Sequence, residues 1–135
     1  MKKFTCCFLT AIFSVALFAN IVYAGYQYYS TNLPAWKGDT TLISGTKTTG
    51  YDNIFHRNIS IGGNFDAVDV WLDRQNADQS WTRVSDNVTH YEGGGPYTTP
   101  VATVDLLSGQ KIRVRGQNHD LTGVMVAING EIDLR

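Results

Sequence analysis

Cysteine occurs only at Cys6 and Cys7, inside the first 24 of 135 residues, so a chain that sheds that segment has none. Disulfide staples and thiol chemistry are then excluded. Small exported eukaryotic domains often carry such staples, and their absence, together with the short Lys2-Lys3 start, points to bacterial export. Stability must come from the core alone. A chain of this length buries about two-thirds of the surface that its unfolded form exposes, enough for one domain and too little for two.

Positive charge is also scarce. After residue 24, three Lys and six Arg face twelve Asp and Glu, a net charge of −3 with His neutral. Neutralising phosphates takes a clustered basic surface. None is visible, so nucleic acid is not an expected partner. Lys111, Arg113 and Arg115 alternate along one segment, as the solvated face of a strand does. Helical periodicity is lacking as well: from Gly25 onward no stretch of a dozen residues repeats apolar positions at i, i+3, i+4 and i+7.

The single long apolar run, Phe4 to Ala19, follows Lys2-Lys3 and precedes Val22 and Ala24, the small-residue spacing that a signal peptidase reads. Residues 1–24 are therefore expected to be a signal peptide and residues 25–135 a secreted, extracellular domain. Cys6 and Cys7 lie at the start of the run, where no lipid attachment follows. After cleavage the protein is not expected to be an integral membrane protein.

What fills residues 25–135 is a succession of Val-, Ile-, Thr-, Tyr- and Trp-rich runs between Gly, Asn, Asp and Pro clusters, the pattern of an all-β sandwich or barrel. Strands are predicted at Tyr26–Thr31, Thr40–Ser44, Ile54–Ile61, Ala67–Arg74, Ser80–Ser85, Val101–Leu107, Gln110–Gln117 and Gly123–Ile128. "QNAD" is the turn of a hairpin, "SG" of another, and "HYEGGGPYTTP" a long loop. Asn129-Gly130 fits either a turn leading to a strand at Glu131–Leu134 or a bulge in one long terminal strand. Seven or eight strands in this length predict an antiparallel β-sandwich of two packed sheets. In the fourth segment Val68, Val70 and Leu72 share the core face, while Asp69, Trp71 and Asp73 share a face expected to be wet.

Three motifs resemble those of penicillin-recognising serine enzymes: S-x-x-K at Ser44 to Lys47, a near match to K-T-G at Lys47 to Gly50, and "SDN" at Ser85 to Asn87. That chemistry needs Ser and Lys one helical turn apart, whereas Ser44 lies in a Thr- and Gly-rich β segment, and Lys47 would serve two motifs at once. Ser44 is not expected to be a nucleophile, nor the chain an enzyme. His56, His90 and His119 lack a metal-ligand spacing. His56, alternating with Arg57, reads as a half-exposed strand residue, and His119 as part of a turn. The EF-hand spacing fails from Asp73 onward, leaving only a loop calcium site at Asp73, Asn76 and Asp78 to set against a plain hairpin turn. No metal or cofactor is expected. Asn58-Ile-Ser60 and Asn87-Val-Thr89 match the glycosylation pattern but in a bacterial protein read as coincidence.

Aromatic residues are plentiful. Trp71, flanked by Asp69 and Asp73, either packs across strands on Trp81 or stacks on a sugar or fills a partner's pocket, and Trp36 is a further candidate. The candidate binding residues are thus Trp36, Trp71, Trp81, Asp69 and Asp73. The aromatic "YYSTNLPAWKGDTTLISGTKTTGYDN", the strand "GQKIRVRGQN" and the terminal "VMVAINGEIDLR" resemble a family of small exported β-rich proteins of Gram-positive bacteria, some encoded near bacteriocin or export genes. The resemblance implies export and a β-sandwich and carries over no catalytic residue. The expected function is a secreted, non-enzymatic interaction module, accessory to a peptide antimicrobial (bacteriocin) or to the cell envelope, with a protein or envelope component as partner. The alternative is a carbohydrate-binding domain using its Trp residues. A groove of outward Trp favours sugar; an apolar patch or open strand edge favours protein.

Overall fold

The computed structural model describes residues 25–99 and 104–135, which form nine antiparallel strands and, among the described residues, no helix. They are β1 (Gln27–Leu33), β2 (Asp39–Thr46), β3 (Phe55–Ile61), β4 (Ala67–Gln75), β5 (Trp81–Arg83), β6 (Val88–Tyr91), β7 (Tyr97–Thr98), β8 (Lys111–Asn118) and β9 (Val126–Asp133). One sheet runs β1-β9-β3-β7; the other runs β2-β8-β4-β5, with β6 also pairing β4. The fold is the antiparallel β-sandwich that the alternation predicts. The expected signal peptide and residues 101–103 of the strand placed at Val101–Leu107 lie outside the described residues.

The core is the product of period-two alternation on facing sheets. Leu33, Ile59, Ile61, Val126, Ile128 and Ile132 come from the first sheet, and Leu42, Val68, Val70, Leu72, Ile112 and Val114 from the second. Ile54, Val84, Leu106 and Leu134 close the ends from outside the strands. Each such side chain contributes about 1.5–3 kcal/mol on burial.

Several expectations need correction. β4 is buried along both faces from Ala67 to Asp73, because arginines of β5 and β8 lie over Trp71 and Asp73 while Thr89, Gln117 and His119 cover Asp69. The long loop contains two short strands, β6 and β7, on either side of its glycines. Residues 104–107 form no strand; Leu106 is buried and its N–H donates to Asp52 Oδ1 at 2.7 Å. The terminal segment is one strand, with Asn129 and Gly130 inside it and in unbroken register with Ser30 and Tyr29 of β1. The bulge lies on β3 instead, where the register against β9 jumps between Arg57 and Ser60. Asn58 sits there at φ 52°, and its Nδ2 and the Nε of Arg57 each donate to Glu131 Oε2 at 2.8 Å. The extra residue shifts the alternation, so His56 and Ile59 both face the core, and His56 is fully buried rather than half-exposed.

Candidate interaction surface

The connection from β1 to β2 is five residues, Pro34 to Gly38. Trp36 and Lys37 occupy its centre at φ 59° and 56°, and Gly38 N–H donates to Ala35 O at 3.1 Å. These are the backbone signs of a type I′ turn, whose central positions favour Asn and Gly. Two bulky L-residues in the left-handed region cost roughly 1–3 kcal/mol each. The strain holds Trp36 at the surface, 71% exposed.

The β8–β9 connection supports it. Trp36 N–H donates to Thr122 O at 2.6 Å, and the indole lies on Gly123, where an added Cβ would stand 3.0 Å from Cζ2. Glycine lets the ring come this close, and a Cβ there would push it outward by a few tenths of an ångström. The same loop exposes Leu121 (69%), Val124 (57%) and Met125 (70%). Four large apolar side chains from two adjoining loops thus stand bare at one end of the sandwich. Sequence reasoning found Trp36 but not its neighbours, because nothing in the alternation brings residues 36 and 121–125 together.

The other candidates sit on the outer face of the five-stranded sheet, where internal partners bury Asp69, Trp71 and Asp73 and cover Trp81 only in part. Trp71 is only 7% exposed, with the Arg83 guanidinium 4.8 Å from its ring centre. Arg113 lies 4.6 Å from the centre of the Trp81 ring and pairs with Asp73 at 2.8 Å. Each indole is covered by an arginine, so Trp71 is not the bare stacking platform that its sequence position indicates. Asp69 accepts hydrogen bonds from His119 Nδ1 at 2.8 Å, Thr89 Oγ1 at 2.9 Å and Gln117 Nε2 at 3.3 Å. Burial alone would raise its carboxyl; those three bonds outweigh it and hold the group below the usual carboxylate range. Arg115 pairs with Asp39 at 2.7 Å, so of the three alternating cations of β8 Arg113 and Arg115 serve this lattice while Lys111 stays exposed, as on a solvated face. In the hairpin turn Asp78 accepts from Ser80 N–H and Oγ–H, and Asn76 donates to Ser80 and Thr82, which commits two of the three loop calcium candidates to the turn itself.

Ser44 and Lys47, three apart on extended backbone, point to opposite sides. Ser44 is exposed; Lys47 is buried, with Nζ donating to the main-chain oxygen of Arg135 and, at 3.5 Å, to Asn53 O. Burial lowers the Lys47 ammonium's pKa, while Asp52 and Asp133 oppose that shift.

A polar group of another kind lies in the core. Tyr29 Oη meets His56 Nε2 at 2.7 Å, His56 Nδ1 meets His90 Nδ1 at 2.7 Å, and the His90 ring stacks on Tyr97 with centres 4.4 Å apart. His90 Nε2 has no hydrogen-bond partner among the described residues. The Nδ1 contact accommodates one proton, one ring donating and the other accepting, so two imidazolium rings would place N–H groups head to head and the relay excludes the doubly protonated pair. Burial pushes His56 down to about 3, with His90 adding to the shift, and burial pushes His90 down to about 4. Burial likewise raises the Tyr29 phenol. Both histidines are closed to solvent, so the group braces the core and no substrate reaches it.

Among the described residues, no helix is long and apolar enough to cross a membrane, and no three His, Cys, Asp or Glu side chains converge as a metal site would require. No family model and no curated protein matches this chain. Among solved structures it is similar to the crystal structure of Yersinia pseudotuberculosis-derived mitogen, with a TM-score of 0.53 and 13% identity, over 82% of this chain and 86% of that one. At that identity the likeness concerns the fold.

Proposed function

We propose that the protein is an exported, non-enzymatic interaction module that docks a protein partner, secreted or in the cell envelope, through the apolar end built by Trp36, Leu121, Val124 and Met125. The observation that carries this is the strained turn: backbone energy is spent on holding a tryptophan bare beside three other bare apolar side chains. Tryptophan amid well-packed apolar neighbours is the usual composition of an interface hot spot. The two loops carry charges of both signs, Lys37 and Asp39 in or beside one and Asp120 in the other, which suits a protein pocket better than an anionic lipid surface. The neighbour in fold is named a mitogen, for an effect on cells and not for a reaction. Bacterial origin, the Gram-positive family and an accessory role beside a bacteriocin belong to the same proposal and rest on the sequence pattern.

The test is photo-crosslinking in cells that produce the full chain, with p-benzoylphenylalanine placed at Leu121 or, as a control, at the exposed turn residue Ser108. A discrete heterologous adduct from position 121 alone, lost in Trp36→Asn, is the expected result. Adducts equal from both positions, an adduct that survives Trp36→Asn, or a covalent dimer of the protein itself would overturn the reading.

A further inference from the structure

The outer face of the five-stranded sheet carries a second surface, which does not rest on docking at Trp36. It lies at the far end of β2 from the turn, roughly 23 Å away at a strand's rise per residue. Strand register lines up two rows across the sheet. Ser44 of β2 stands opposite Arg113 of β8, Arg113 opposite Asp73 of β4, and Asp73 opposite Arg83 of β5. In the next row Thr46 faces Lys111, and Gln75 faces Trp81. Between them opens a half-open groove of about 260 Å³, lined by Ser44, Gly45, Thr46, Gln75, Trp81, Lys111 and Ile112.

The lining has a definite chemistry. Ser44, Thr46 and Gln75 offer two hydroxyls and an amide at short reach, the donors and acceptors that ring hydroxyls need. Trp81 supplies an apolar wall, held in place by the Arg113 guanidinium. Lys111, exposed and in no ion pair among the described residues, adds an uncompensated ammonium. Across the two rows three cations, Arg83, Lys111 and Arg113, face the single carboxylate of Asp73, although the whole chain carries a formal net charge of −1. Local positive charge against that background selects an anionic ligand. A lining of hydroxyl, amide and indole selects a polyhydroxylated one, and the volume suits one or two sugar rings.

We infer that this groove binds an acidic saccharide, its carboxylate on Lys111 and its ring hydroxyls on Ser44, Thr46 and Gln75, with Trp81 as the wall. Calorimetric titration of the protein with a galacturonate disaccharide and with its neutral methyl ester separates the contributions. The acid is expected to bind saturably and more tightly than the ester. Lys111→Gln, an exposed and conservative change, is expected to weaken the acid about tenfold, the scale of one charge-assisted hydrogen bond, and to leave the ester unchanged. Trp81→Phe is expected to weaken both several-fold, and amide shift changes in NMR should cluster on the two rows. Equal affinity for acid and ester, no saturable binding at millimolar sugar, or binding indifferent to both variants would overturn the assignment. Each of those results leaves docking at Trp36 standing.

Discussion

Acid should destabilise the fold well before its carboxylates titrate, and the cause lies in the core. His56 and His90 are held to about 3 and about 4 in the folded state, while an unfolded histidine titrates near 6.5. The sign follows from linkage: above about pH 6.5 both states are neutral and nothing is lost. As pH falls below that value the unfolded chain takes up protons that the folded chain refuses, until the folded values are reached. At about pH 5 each histidine lies 1.5 units inside this window, worth about 2 kcal/mol, so the pair costs up to about 4 kcal/mol. Coupling between the rings and relaxation of the core reduce this to about 2–4 kcal/mol, a large part of the 5–15 kcal/mol that holds an ordinary domain together. Urea unfolding followed by tryptophan fluorescence between about pH 7 and about pH 5 measures it. Asp69, Asp78 and Glu131 are held below their usual range and act in the same direction, but only in more acid solution. His90→Phe keeps the stack on Tyr97 and should remove about half of the pH dependence. Equal stability at both pH values, or an unchanged slope in His90→Phe, would refute the reasoning.

Other perturbations follow from the same geometry. Lys37→Gly should raise stability by about 0.5–1 kcal/mol, since relief of the positive φ exceeds the entropy of glycine in the unfolded chain, and urea midpoints would show it. Val70→Asp places an unpaired carboxyl among core side chains and should cost several kcal/mol, whereas Asp69→Ser, which breaks three hydrogen bonds on a partly wet face, should cost about 1–3 kcal/mol by the same measurement. A fluorescent penicillin should give no Ser44 adduct by intact mass, because Ser44 and Lys47 face opposite sides of the strand.

The sandwich itself was legible because alternation of apolar residues holds along most of its strands, as in Val68, Val70 and Leu72, although bulges interrupt it on β2 and β3. Features that depend on partners far along the chain were not. Asp69, Trp71 and Asp73 alternate like a wet face, and only pairing with β8, some 40 to 50 residues later, brings His119, Gln117 and Arg113 onto the two carboxylates. The buried histidine pair was hidden by one bulge: Asn58 adds a residue that local alternation cannot count. β6 and β7, four and two residues long, form only by pairing β4 and β3 and have too few positions to show a period. Of the binding candidates Trp36 stands bare, but its apolar neighbours come from a loop some 85 residues away in sequence, joined by the Trp36–Thr122 hydrogen bond.

The central claim, that the Trp36 end is a docking surface, is tested most directly by acrylamide quenching of a protein whose only tryptophan is Trp36, made by Trp71→Phe and Trp81→Phe. Alone, this tryptophan should be quenched almost as freely as the amino acid in solution, in keeping with its exposure. With the envelope and secreted fractions of the producing cells added, it should become protected, and Leu121→Ser should restore the quenching. Free quenching that none of those fractions alters would contradict the account.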